Sequence, residues 1–303
     1  MTKAAHGDWR QQKERSHPWM LHLMVAISRL FGRRIGRIVL YGIAAYFTAF
    51  ATVARRASRD YLQRVTGRPA TLGEVFRHVL SFASTVHDRV FLLGKGSHGL
   101  QVEVQGAEAL QAACADGQGV LLMGAHLGSF EVLRVMGQER GGMRVAMVMY
   151  EENARKVNEA LRAINPDAVQ DIIPLGRMDS MLAVKDRLSE GCLVGILADR
   201  RLNADDDDVV SLPFLGDNAR FPAGPWRLAM LLRRPVFFMA GLYLGGNRYQ
   251  VRFEPLADFS QVPRARRQAA MDDAMQSYVG TLERLAREAP YNWFNFFDFW
   301  HQQ

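Results

Sequence analysis

His126 and Glu131 stand five residues apart in Gly-Ala-His-Leu-Gly-Ser-Phe-Glu, residues 124–131, a spacing that could serve proton transfer. A buried strand, Val120 to Met123, leads through a turn of small residues into a helix. In open α/β sheets, the carboxyl end of such a strand is where sites form. With His126 in the turn and Glu131 in the first helical turn, the carboxylate can fold back onto Nδ1, leaving Nε2 facing the cleft as an acceptor. That pair suits general-base activation of a hydroxyl as it attacks a thioester, without a covalent intermediate. A base contributes only about 10²- to 10⁴-fold, so oxyanion stabilisation is also needed, and backbone amides near Gly128 and Ser129 are candidates for it. Taken alone, the spacing also fits a helix-capping Glu beside an exposed His, and further motifs must decide.

Other candidate chemistries have weaker patterns. Ser129 does not lie in a GxSxG elbow, the strained turn that exposes a hydrolase nucleophile. His87-Asp88 resembles half of a metal motif with no second cluster at ligand spacing, and a pair on a helix surface explains it equally well. The run Asp205 to Asp208 lacks the Gly-centred spacing of a calcium loop and reads as a solvated loop. Cys114 and Cys192 fit neither a metal spacing nor a disulfide framework, which places the bulk of the chain in the cytoplasm. Arg200 and Arg201 follow an apolar strand at the sheet's carboxyl end, where they could engage a phosphopantetheine, CoA or lipid phosphate as readily as solvent. The terminal aromatics Trp293, Phe294, Phe296, Phe297, Phe299 and Trp300 fit core packing, an acyl groove or a lipid interface.

The elements that must position these residues alternate. Val75, Val79, Phe82, Val86 and Val90 recur at helical spacing over Leu72 to Leu93. Strands are expected at Leu100 to Val104, Val120 to Met123, Val145 to Met149, Ile172 to Pro174 and Leu193 to Leu197. Helices are expected at Asn153 to Ala163, Met178 to Leu188 and Trp226 to Leu232. Pro235 to Leu244 and Tyr249 to Phe253, joined by Gly245-Gly246-Asn247, read as a hairpin, and Arg266 to Glu288 as a closing helix. The sum is an α/β fold with a mixed central sheet flanked by helices.

In this order, HLGSFE, the strand ending GILADRR, PFLG before a helix, and RRPVFF resemble the lysophospholipid acyltransferase superfamily. Within it they are most similar to the bacterial lipid A lauroyl/myristoyl acyltransferases, from about residue 20 to the carboxyl terminus. The resemblance implies a catalytic dyad of His126 and Glu131, an acyl thioester donor carried by acyl-carrier protein or CoA, and neither metal nor other cofactor. It further implies that Pro213, Phe214 and Gly216 shape the acceptor side, that Asp199 closes its strand as an Asp does in family members, and that apolar walls form an acyl groove. One departure stands out: after Tyr150, where those enzymes carry an Arg, this chain has Glu151 and Glu152, which would repel an anionic saccharide phosphate. Arg155 or Lys156 on the next helix could substitute.

Charge and hydropathy say where such an enzyme would work. Residues 1–68 hold 13 Lys and Arg against Asp8, Glu14 and Asp60, a net +10, while the rest of the chain is net −3. The positive charge flanks apolar helices, as suits anionic lipid headgroups rather than a nucleic acid. Ile38 to Ala54 has no charge, and its seventeen residues make about 26 Å of helix, just short of a hydrocarbon core of about 30 Å. It spans only if Arg37 and Arg55 snorkel, and a monotopic helix pair fits as well. Mean hydropathy of −0.11 excludes a polytopic membrane protein, and no signal peptide is expected. The expected organisation is a basic membrane-associating segment, residues 1–60, and an acyltransferase domain, residues 61–303. It would transfer acyl groups to a hydroxyl of a lipid or glycolipid at the bacterial inner membrane, on the cytoplasmic side. A thioesterase with the same dyad and a non-catalytic acyl-lipid-binding protein are the alternatives.

Overall fold

A computed structural model describes residues 18–95, 99–141, 144–150, 171–175, 179–200 and 208–300. The segments expected as the helix Asn153 to Ala163 and the acidic run up to Asp207 lie outside them, as do Glu151, Glu152, Arg155, Lys156 and Arg201. Three helices come first: α1 (Pro18–Phe50), α2 (Thr52–Thr66) and α3 (Leu72–Lys95). The chain continues through β1 (Gln101–Gln105), α4 (Ala107–Ala113), β2 (Leu121–Gly128), α5 (Phe130–Gly141), β3 (Val145–Tyr150), β4 (Ile172–Leu175), α6 (Ser180–Ser189) and β5 (Leu193–Leu197). It closes with β6 (Val209–Phe214), β7 (Asp217–Pro222), α7 (Gly224–Leu232), β8 (Pro235–Tyr243), β9 (Arg248–Asp258) and α8 (Arg267–Glu288).

Seven strands form one sheet in the order β1-β9-β8-β2-β5-β3-β4. Every neighbouring pair is parallel except β8 with β9, the hairpin whose turn uses Gly245 and Gly246 at positive φ. A parallel sheet is covered on both faces, and two apolar clusters do this. Leu121, Met123, Ala125 and Leu127 of β2 join the larger cluster, with Tyr61 and Leu62 of α2, Trp226 of α7, and Tyr278 and Leu282 of α8. Val120 and Leu122 join the other, with Leu92 of α3, Leu110 of α4, and Val132 and Leu133 of α5.

Several expectations need correction. The uncharged run Ile38 to Ala54 is not one helix. Ala51 is non-helical, and the segments Gly32–Phe50 and Thr52–Thr66 meet at 93°. Arg55 does not reach outward but donates to the last carbonyls of α1, Thr48 O at 3.0 Å and Ala49 O at 2.5 Å, satisfying a helix end. Among the described residues, no single helix is long and apolar enough to cross a membrane.

His87 and Asp88 are not a surface pair, since both are fully buried. Arg33 and Arg37 of α1 reach Asp88 at 2.8 and 2.7 Å, and the Tyr249 hydroxyl donates to it at 2.6 Å, tying α1 to α3 and β9. The Leu212–Gly216 segment forms the end of β6 and the turn to β7, a separate antiparallel ribbon that precedes α7. The strand from Val120 runs on to Gly128 through an irregularity after Gly124, so His126 sits in a strand and not in a turn.

Candidate active site

The register of the sheet builds the centre of the site. β2 and β5 are parallel neighbours with Gly124 opposite Leu197, so two residues further on His126 and Asp199 come side by side at the carboxyl ends. Asp199 Oδ1 lies 2.8 Å from His126 Nδ1. Oδ2 accepts the backbone N–H of His126 at 3.0 Å and the indole N–H of Trp293 at 3.0 Å. Burial raises the Asp199 carboxyl, but His126, Arg200 and the backbone N–H together outweigh it and hold the group well below the usual carboxylate range. An ionised Asp199 can only accept, so the proton between the two belongs to Nδ1 and Nε2 is bare. Burial, then Arg200, lowers the His126 imidazole, and Asp199 only partly opposes them. The ring thus stays neutral at neutral pH. Its side chain remains 35% accessible, against 0% for Asp199, which leaves a base with an open face.

The carboxylate expected at Nδ1 was that of Glu131, and the residue found there is Asp199. Glu131 does stand in the first turn of α5, where it is buried and accepts from Arg134 Nε at 3.2 Å. The proposed oxyanion donors are also engaged elsewhere. Gly128 N–H donates to Asn292 O at 2.8 Å and Ser129 N–H to Gly241 O at 2.7 Å, so neither amide is available to an oxyanion. Gly128 serves the backbone instead: it has φ +77, and a Cβ there would lie 2.0 Å from Gly241 O. Ser129 is buried, and its hydroxyl has no hydrogen-bond partner among the described residues.

Arg200 is brought to the site. Its guanidinium lies over the Phe297 ring at 5.0 Å and donates to Phe294 O at 2.6 Å, and its charge acts on both Asp199 and His126. Phe214 is fully buried against Trp293 and Trp300 and acts as packing behind Asp199. Pro213 and Gly216 are exposed at the ribbon's turn. Among the described residues, no three His, Cys, Asp or Glu side chains converge as metal ligands.

The terminal segment is the contribution the sequence reading missed. Phe294 N–H donates to His126 O at 2.8 Å and Leu127 bridges to Trp293, so residues 292–294 run along the end of β2. The aromatic cluster, for which the sequence leaves core packing, an acyl groove and a lipid interface all open, has one member with its polar atom on Asp199. An indole N–H that must find a partner when buried was the available signal. From there Phe294 meets Phe82 edge-on at 5.3 Å, and Phe82 is 41% exposed, so an aromatic contact links the segment beside His126 to the surface.

No curated protein matches this chain. The family model for bacterial lipid A biosynthesis acyltransferases, however, matches residues 6–302, nearly its whole length. The chain therefore belongs to the bacterial lipid A biosynthesis acyltransferase family.

Proposed function

We propose that this acyltransferase moves a fatty acyl group from an acyl-carrier-protein or CoA thioester to a hydroxyl of a lipid or glycolipid at the cytoplasmic face of the bacterial inner membrane. The observation that carries the reading is the neutral His126 imidazole, oriented through Nδ1 by a buried carboxylate and open on its other side. Nε2 takes the acceptor's proton as its oxygen attacks the thioester carbonyl; the tetrahedral intermediate then collapses with cleavage of the carbon–sulfur bond, and the imidazolium returns the proton to the departing thiolate. Asp199 stabilises the imidazolium that forms. This reassigns the orienting role from Glu131 to Asp199 and places Glu131 with Arg134 in the buried wall of α5. Arg200 is suited to the developing oxyanion or to a donor phosphate, because its cation sits beside the base in a poorly solvated setting.

The experiment supplies the full-length protein in detergent with radiolabelled lauroyl-CoA or lauroyl-acyl-carrier protein and an inner-membrane lipid extract. Label should pass to a lipid only when extract is present, and His126→Ala should abolish it. Free laurate released equally with and without extract would instead make the protein a thioesterase.

A further inference from the structure

Packing alone does not account for how Trp293 is held. The residue is fully buried, its ring edge-on to Tyr61 at 5.0 Å, Phe214 at 5.2 Å and Phe299 at 4.8 Å. Its backbone carbonyl lies 2.9 Å from Nε2 of His78, and Nδ1 of His78 lies 2.8 Å from the Ser58 hydroxyl. A carbonyl only accepts, so His78 carries its proton on Nε2 and accepts the Ser58 hydroxyl proton at Nδ1. Burial lowers His78 to about 4, so this ring stays neutral and the chain of bonds keeps one direction at neutral pH. Helices α2 and α3 therefore fix Trp293 from behind, while residues 292–294 fasten it along β2 at His126 and Gly128, on either side of Leu127.

We propose that Trp293 is a positioning residue for acyl transfer. Its indole N–H, backed by the buried Ser58–His78 pair, fixes the Asp199 carboxylate with one oxygen turned to Nδ1 of His126. The inference rests on the reading of His126 as a base oriented by Asp199. A packing role would need the shape of the indole, whereas a positioning role needs its N–H.

The test replaces Trp293 in the full-length protein with L-3-benzothienylalanine, which keeps the bicyclic shape and has sulfur in place of N–H. The same replacement at Trp300 is the control, because that indole belongs to the same aromatic cluster but donates to Phe214 O at 3.3 Å. Two readouts are taken: the titration of the His126 ring by ¹⁵N resonance, assigned by its loss in His126→Ala, and kcat and KM for lauroyl-CoA. The charged groups acting on that ring are Asp199 and Arg200 beyond β5 and Arg89 on α3. None of these changes in either replacement.

Without the indole donor, more negative charge remains on Asp199 and the imidazolium is better stabilised. The 293 replacement should therefore move the His126 titration and the rising limb of kcat to higher pH. It should also lower kcat roughly tenfold, the worth of one hydrogen bond to a charged group, with KM within about twofold. A wild-type titration and kcat at 293, or an equal change at 300, would overturn the proposal. The ring titration needs no turnover, so failure of the acyl-transfer reading is seen separately, as an unmodified protein that transfers nothing.

Discussion

At position 199 an amide would not behave as a weaker carboxylate. Oδ2 is fixed by two donors, the His126 backbone and the Trp293 indole, while Oδ1 faces Nδ1. In Asp199→Asn those donors hold the amide oxygen, so the NH₂ turns towards Nδ1 and makes it an acceptor. The ring proton then moves to Nε2, the atom that must be bare for base catalysis. We expect kcat to fall on the order of 10²- to 10⁴-fold with little change in donor KM. Glu131→Gln should cost less, since that carboxylate sits with Arg134. Steady-state thiol release in the presence of lipid acceptor ranks the two, and a larger loss in Glu131→Gln would restore Glu131 as the orienting group. His126 and Asp199 were each legible as polar residues just beyond an apolar strand run. Their pairing was not, because it depends on β2 and β5 being adjacent and in register across 73 residues of chain. Sequence proximity chose Glu131, whereas sheet register brings Asp199.

Between helices, α1 and α3 approach closely at one small residue, Gly36. A methyl group at Gly36 would lie 2.3 Å from Nε2 and 2.9 Å from Cε1 of the buried His87 ring. Gly36→Ala should gain about 1 kcal/mol of helix propensity. Overpacking in a closed contact costs about 1 to 3 kcal/mol, so the net effect expected is a lower melting temperature. Adding His87→Ala opens that space and should recover stability non-additively, as thermal melts of the solubilised full chain would show. A Gly36→Ala protein that melts above wild type would mean that α1 does not press on α3 there. Strong periodicity made α3, α8 and the β8–β9 hairpin readable. The short α4 and the mixed α2 were not, the latter because its buried face combines Ala57 and Ser58 with Tyr61, Leu62 and Val65. The break at Ala51 also escaped notice. No proline or glycine marks it, and it shows only in the arginine that turns back to cap α1.

At the scale of the molecule, α1 carries an apolar face that stands exposed among the described residues. Along α1, Gly36, Leu40, Ala44 and Thr48 face inward, while Ile35, Ile38, Val39, Tyr46 and Phe50 form an exposed stripe on the other side. Val53 beyond the elbow and Phe82 on α3 are also exposed apolar residues, and Arg34, Arg56 and Arg59 of α1 and α2 are exposed. A helix packed along one side cannot be surrounded by lipid, but its free stripe can lie in the headgroup boundary with cations beside anionic lipids. The two halves of α1–α2, bent at 93°, fit that placement better than a crossing. It would also set the exposed Phe82 near the lipid that the proposed reaction uses as acceptor. Ile38→Asp with Phe50→Asp should therefore shift the full-length protein from pelleted anionic vesicles into the supernatant, while turnover of lauroyl-CoA with detergent-dispersed acceptor stays near wild type. Raising salt should release the double variant further, since only the basic residues would then hold it. If the double variant pelleted like the parent at high salt, the attachment would lie elsewhere in the chain and the α1 stripe would have to face something other than lipid.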